Sequence, residues 1–129
     1  EFNITELTNA IAYGNAAKAF KIAYYFGESP KQYPLPKTLG FLFFFFWKLE
    51  QIHAYTLQSS RPSLQEAASQ AGLYYRTATS YIAAAQRYPL RKTMRIISSL
   101  KECDMKSKSN SRGSATEGEL LIELLGKIF

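Results

Sequence analysis

Residues 39–47 read Leu-Gly-Phe-Leu-Phe-Phe-Phe-Phe-Trp, which is the most apolar run of the chain. It is apolar on every side, so as a helix it must lie in a protein core or in a membrane. Nine residues fall well short of the ~20 that a membrane-spanning helix needs. The five Phe would also suit a buried strand, but the polar residues that begin at Lys48 fit a helix that emerges gradually. We therefore predict a central helix over about 36–58, buried on all sides, with Phe43 and Phe46 both in the core.

Glycines, prolines and capping patterns divide the rest of the chain into shorter helices. Gly14 and Gly27 each follow an apolar stretch with helical spacing and are expected to end the first two helices. Residues 63–66 and 116–119 have the Ser/Thr-x-x-Glu pattern of a capping box, which marks a helix start. The predicted helices around the central one cover about residues 4–13, 16–26, 64–71, 74–87, 89–106 and 116–128.

No stretch alternates apolar and polar residues as an exposed strand does. We therefore expect an all-α fold, a single-domain bundle of about six or seven helices that spans residues 1–129. In the helix over 89–106 the buried face is expected at Leu90, Met94, Ile97 and Leu100. The chain begins with Glu1 and not with Met, and we expect it to be a fragment of a longer protein.

The segment at about 64–87 has the spacing of a helix-turn-helix. Ala68 allows two helices to cross closely, and Gly72 allows the tight turn between them. A DNA-reading version would place one group of side chains near a major groove, namely Tyr74, Tyr75, Arg76, Thr77 and Ser80. That group contains one cation, and phosphate contacts supply most DNA affinity. We expect the helical hairpin, with at most weak, nonspecific DNA binding.

The chain carries a net charge of +6, and its surplus is local. Residues 87–112 contain eight Lys or Arg and two acids, so the net charge of this segment equals that of the whole chain. Such a stretch suits acidic partners, including phosphate backbones. The alternatives are a solvated helix face with a basic loop, or a small basic helical nucleic-acid-binding module.

Few residues suggest chemistry. Cys103 is the only cysteine and His53 the only histidine, whereas a structural metal site needs about four ligands. Gly118 to Lys127 superficially resembles a phosphate loop, but the spacing of its glycines is wrong and Ile128 follows the lysine. We expect no catalytic residue, no cofactor and no metal, and the lone cysteine favours a reducing, cytoplasmic location.

Five blocks of sequence, in order, resemble the C-terminal domain of the delta subunit of bacterial DNA polymerase III clamp loaders. The resemblance covers about residues 3–129. The blocks are Gly14-Asn15 with Lys18-Ala19, Glu66-Ala67-Ala68 to Gly72, Ala84-Ala85-Gln86-Arg87-Tyr88-Pro89-Leu90, Leu100 to Lys108, and Glu119 with Leu120, Leu121, Leu124 and Leu125.

The resemblance implies an assembly domain that works in DNA replication. In that family a helical C-terminal domain joins a circular collar with the domains of gamma/tau-type ATPase subunits and of delta prime. An ATPase-like N-terminal module, absent from this chain, contacts the sliding clamp. The parent complex is a DNA-directed DNA polymerase, a nucleotidyltransferase, whereas the collar domain is not an enzyme.

The resemblance also suggests a partner interface near the end of the chain. Its closing motif has an Asp shortly before a Lys-Ser pair, which corresponds to Asp104, Lys106 and Ser107. The apolar stripe of the last helix follows, and we take Leu121 and Leu125 as further interface candidates. The alternative is that Asp104 and Lys106 only cap or pair locally.

Overall fold

Seven α-helices follow one another along the chain, and the computed structural model describes residues 1–129 except for the side chain of Ser111. No strand occurs in the part of the chain so described. The predicted all-α, single-domain bundle is confirmed. The helices are α1 (Ile4–Ala12), α2 (Ala16–Glu28), α3 (Leu35–Thr56), α4 (Leu64–Gln70), α5 (Tyr75–Arg87), α6 (Leu90–Ser107) and α7 (Glu117–Ile128), with a 3-10 turn at Asn110–Arg112.

Helix α3 is the centre of the bundle, as the apolar run predicts. It packs against α6 and α4 most extensively, and it also contacts α1, α5 and α7. Its inward residues recur every three or four positions, so they form one continuous side of the helix. These buried residues are Leu35, Thr38, Leu39, Leu42, Phe45, Phe46, Leu49 and Ile52.

The prediction that α3 is buried on all sides is wrong. The exposed fractions are 46% for Phe41, 37% for Phe43, 51% for Phe44 and 41% for Trp47. The neighbouring helices cover only the side that carries Phe46, so the opposite side of α3 remains at the surface. The run contains no polar residue and has no periodicity of its own, so only the small or polar positions in and around it could indicate which side faces outward.

The capping boxes predicted at 63–66 and 116–119 are both confirmed. The Ser63 hydroxyl accepts from the Glu66 N–H at 3.1 Å, and the Ser63 N–H donates to the Glu66 carboxylate at 3.1 Å. The same reciprocal pair joins Thr116 and Glu119 at the start of α7. The hydrogen bonds from Ser63, its backbone N–H first, lower the pKa of the Glu66 carboxyl.

Gly27 does not end α2, which continues to Glu28. Its role is close packing: a Cβ built on Gly27 would lie 2.9 Å from the Cα of Gly118. The two glycines therefore let the backbones of α2 and α7 touch, and these helices form one of the main contacts of the bundle. The absence of a side chain at both positions permits the two helices to cross this closely.

The helical hairpin expected at about 64–87 is present. Helices α4 and α5 are joined by a turn in which Gly72 has φ +83°, a left-handed conformation that favours glycine. The Leu73 N–H closes the turn by donating to the Ala68 carbonyl at 2.9 Å. Tyr75 has φ +56° and opens α5, which is unusual for a bulky residue.

The buried side of helix α6 differs in part from the predicted one. Its buried residues are Thr93, Ile96, Ile97, Leu100 and Cys103. The expected stripe is therefore right at Ile97 and Leu100, whereas Leu90 is only half-buried and Met94 is exposed.

We predict that Phe46→Asp unfolds the domain, whereas Phe44→Asp does not. Phe46 is fully buried, and an unpaired buried carboxylate costs several kcal/mol, comparable with a total stability of ~5–15 kcal/mol. Phe44 lies at the surface of the same helix and is the matched control. Thermal unfolding followed by circular dichroism measures both. Two variants that melt alike would contradict the assigned orientation of α3.

We also predict opposite effects for two Gly→Ala substitutions in helices. Gly118→Ala should lower stability by about 1–3 kcal/mol, because its Cβ would lie 2.8 Å from the Cα of Gly27 and force α2 and α7 apart. Gly40→Ala has nothing within 4 Å and should raise stability by about 0.5–1 kcal/mol through higher helix propensity. Urea denaturation measures the change in the free energy of unfolding for both variants. If Gly40→Ala lowered stability and Gly118→Ala did not, the packing assigned to these two glycines would be wrong.

Candidate partner interface

The closing motif lies on the surface at the end of α6, where its polar groups pair locally. The Ser107 hydroxyl donates to the Asp104 carbonyl at 2.7 Å, and Lys108 Nζ lies 3.1 Å from Asp104 Oδ2. Lys106 Nζ reaches Glu123 Oε1 of α7 at 3.4 Å. All of these side chains are partly or largely exposed, so the ion pairs contribute little to stability. The motif can still contact a partner, because its pairs exchange easily with others.

The two leucines proposed for the same interface occupy a different place. Leu121 and Leu125 are both buried in the hydrophobic core, where α7 packs on α2 and α6. They are therefore unavailable to a partner as long as α7 remains packed. The sequence pattern could not distinguish an apolar stripe that packs inside the domain from one that faces a neighbouring subunit.

The cations of residues 87–112 do not form a single surface. The Arg87 guanidinium lies over the backbone of Gly14, at the α1–α2 turn. Arg112 donates through Nε to the Ala115 carbonyl at 3.0 Å and through Nη1 to the Ser107 carbonyl at 3.1 Å, which fixes the loop before α7. The cations that remain exposed on α6 are Arg91, Arg95 and Lys101.

The candidate DNA-reading residues of the hairpin are mostly exposed at the start of α5. The Tyr75 side chain is 93% exposed, and Tyr74, Arg76 and Thr77 are exposed as well. Ser80 is half-buried and donates its hydroxyl to the Thr77 carbonyl at 3.1 Å. The surface is accessible, but Arg76 supplies its only cation, so its affinity for phosphates would be low.

A group of exposed aromatic residues on α3 was not predicted as a site. We call Phe41, Phe43, Phe44 and Trp47 of α3 the aromatic face. Lys48 borders it: its Nζ lies 5.9 Å from the Phe44 ring centroid and 5.6 Å from that of Trp47. The same Nζ donates to the Ala71 carbonyl at the end of α4 at 2.7 Å, which holds the ammonium group in place.

A signal for this face exists in the sequence. Lys37, Gly40 and Gln51 are polar or small, and they fall on one side of α3 together with Phe44 and Trp47, at spacings of three and four residues. Polar and small residues at these positions indicate the outward side of the helix. The aromatic residues between them are therefore the ones that reach the surface.

Two depressions adjoin the aromatic face. The larger, of about 400 Å³, lies between α1, α3 and α5, and its lining includes Phe41, Phe44 and Arg76. The smaller, of about 250 Å³, lies between the start of α3 and the segment before it, and its lining includes Phe41 and Lys37. Phe41 thus lines both depressions.

His53 and Cys103 both contribute to the interior. His53 Nε2 lies 2.7 Å from the carbonyl oxygen of Tyr88, which can only accept, so this nitrogen carries the proton. Cys103 is buried, its Sγ lies 3.8 Å from the Leu120 carbonyl, and burial raises the pKa of its thiol. Gly118 to Lys127 lies within helix α7.

Among the side chains that the structure describes, no three His, Cys, Asp or Glu residues lie close enough together to hold a metal ion. In the same part of the chain, no helix combines the length and the hydrophobicity that a bilayer crossing requires.

Comparison of the chain with family models, with curated proteins and with solved structures yields no match in any of the three.

We predict that Tyr88→Phe lowers stability by about 1 kcal/mol, because the Tyr88 hydroxyl donates to the Ile11 carbonyl at 3.0 Å. Burial raises the pKa of Tyr88 to about 12, so in the wild type this residue's contribution to stability is present below pH 10 and is lost as the pH rises to 12. The variant should lose less stability over that range. Tyr74→Phe, at an exposed position, is the control in urea denaturation, and equal effects of the two would refute the role of Tyr88.

Proposed function

We propose that this chain is the ATPase-free collar domain of a clamp-loader delta subunit, and that it holds its subunit in the ring by binding neighbouring collar domains. The observation that carries the proposal is the ordered set of five sequence blocks that resemble this family. The fold supports it, because a single all-helical domain is what the resemblance implies.

The positions of the blocks within the fold add to this support. Gly14 is the first block's turn, and it contacts Arg87 of the third block. The third block also contains Tyr88, whose hydrogen bonds reach Ile11 in α1 and His53 in α3. Residues that set the arrangement of the helices are therefore the ones that carry the resemblance, as expected of a shared fold.

The surface is compatible with assembly. Stable interfaces between protein subunits combine an apolar centre with a polar rim. The partly exposed Asp104 and Lys106 offer polar groups at the end of α6, and large apolar side chains are exposed elsewhere on the domain. Tyr and Trp are frequent anchors of such interfaces, and the chain contains nine Tyr and one Trp.

A second candidate function is nucleic-acid binding through α6. Arg91 and Arg95 are exposed one helical turn apart, and neither has an ion-pair partner within 4 Å among the described residues. Two such cations can contact adjacent phosphates, but they provide few of the contacts on which strong binding depends. We therefore place this function second.

We predict that the domain co-elutes with the collar domain of its cognate ATPase subunit or of delta prime in size-exclusion chromatography at tens of micromolar. The variant Asp104→Ala/Lys106→Ala should weaken the complex, and Arg91→Ala/Arg95→Ala is the matched control on the same helix. No co-elution, with both partners folded, would contradict the collar function. Co-elution that survives Asp104→Ala/Lys106→Ala would keep the function and place the interface elsewhere.

The same control variant separates the two candidate functions. In fluorescence anisotropy with duplex and single-stranded DNA, a collar domain should bind weakly at most, with a steep loss of affinity as salt increases. Submicromolar, sequence-selective binding at physiological salt that is abolished by Arg91→Ala/Arg95→Ala would favour the nucleic-acid-binding function.

A further inference from the structure

We infer that the aromatic face of α3 and the two depressions beside it form a docking groove for an amphipathic helix of a partner protein, whose apolar anchors are flanked by carboxylates. This inference depends on the surface itself and stands whether or not the chain is a collar domain. It concerns a different part of the molecule from the closing motif at Asp104.

The aromatic face exposes several large apolar side chains. Four large aromatic side chains within seven residues of one helix are each more than a third exposed. Scattered exposed apolar residues need no explanation, but contiguous patches on a soluble surface mark sites of interaction. The bundle has its own core on the side of α3 that carries Phe46, so the stability of the fold does not require the aromatic face.

The shape of the surface beside the aromatic face suits a helix. The depressions of about 400 Å³ and 250 Å³ share Ile4 and Phe41 in their linings, so they are neighbours along α3. A helix that lies across them could place one apolar anchor in each, on opposite sides of Phe41. This is the arrangement by which amphipathic helices bind in hydrophobic grooves, with anchors spaced about three, four or seven residues apart.

The charged side chains around the two depressions are cations. Lys37 lines the smaller depression and Arg76 the larger, whereas no Asp or Glu lines either one. Lys48 adds a third cation beside Phe44 and Trp47, held in place by the Ala71 carbonyl. None of the three has an ion-pair partner within 4 Å among the described side chains. A partner with carboxylates around its apolar anchors would complement this rim.

The charge argues against a second copy of the chain as the occupant. Two copies packed face to face would bring the cations of both grooves, such as Lys48 and Arg76, into one interface, where like charges repel. Single-stranded nucleic acid fits less well than a helix for a different reason. The Lys48 ammonium already lies near the rings on which bases would stack, and three cations around a groove do not form a track along a phosphate backbone.

The test uses the intrinsic fluorescence of Trp47, the only tryptophan of the chain. The probe is a stapled helical peptide of about 16 residues, with Leu anchors on one side and Glu on both flanks of that side. One matched peptide carries Lys in place of each Glu, and another carries Ser in place of each Leu. We expect saturable Trp47 changes with the Glu peptide at roughly tens of micromolar, and at least tenfold weaker binding of both matched peptides.

Substitutions in the protein make the test specific. Phe44→Ser should weaken binding of the Glu peptide at least tenfold, whereas Tyr24→Ser, which removes an exposed aromatic residue of α2, should not change it. Lys37→Glu/Arg76→Glu should reverse the preference, so that the Lys peptide binds better than the Glu peptide. Circular dichroism melts ensure that each variant is folded.

Three results would overturn the inference. The first is no saturable response to the Glu peptide, or equal affinity for the Glu and Lys peptides. The second is tighter binding of oligothymidine than of the Glu peptide, with the oligothymidine binding abolished by Phe44→Ser, which would make the groove a nucleic-acid-binding site. The third is a dimer in sedimentation velocity that Phe44→Ser dissociates, which would make a second copy the occupant.

Discussion

The arrangement of the helices depends on Tyr88, which lies in the link between α5 and α6. Its carbonyl oxygen accepts hydrogen bonds from His53 of α3 and from Thr93 of α6, and its hydroxyl donates to the carbonyl of Ile11 in α1. Its ring packs edge-on against Phe46. One buried residue therefore fixes three helices relative to the α5–α6 link, through polar groups that would each be costly to leave unpaired.

This anchoring explains why α3 has two different sides. The side that carries Phe46 and His53 is held by Tyr88 and the surrounding helices, so it is buried and well packed. The other side has no such neighbour, and Phe44 and Trp47 remain at the surface. The same helix thus supplies the centre of the core and an exposed aromatic surface that is available to another protein.

Local features of the sequence predicted the fold better than they predicted the surface. The capping boxes at Ser63 and Thr116 could be read directly, because each depends on residues three positions apart. Gly27 was misread as a helix end, because its reason is a contact with Gly118, far away in the chain. The burial of Leu121 likewise depends on which helices pack together, and that information is not contained in any one segment.

The contact between Gly27 and Gly118 also has a consequence for biosynthesis. These residues are far apart in sequence, and α7 leaves the ribosome after the six helices that precede it. Until then, the side of α2 that packs against the end of the chain is open to solvent, including Gly27 and the ring of Phe20, which later packs against Phe129. The nascent domain therefore passes through a stage with an uncovered apolar surface, which chaperones bind and which favours aggregation when synthesis stalls.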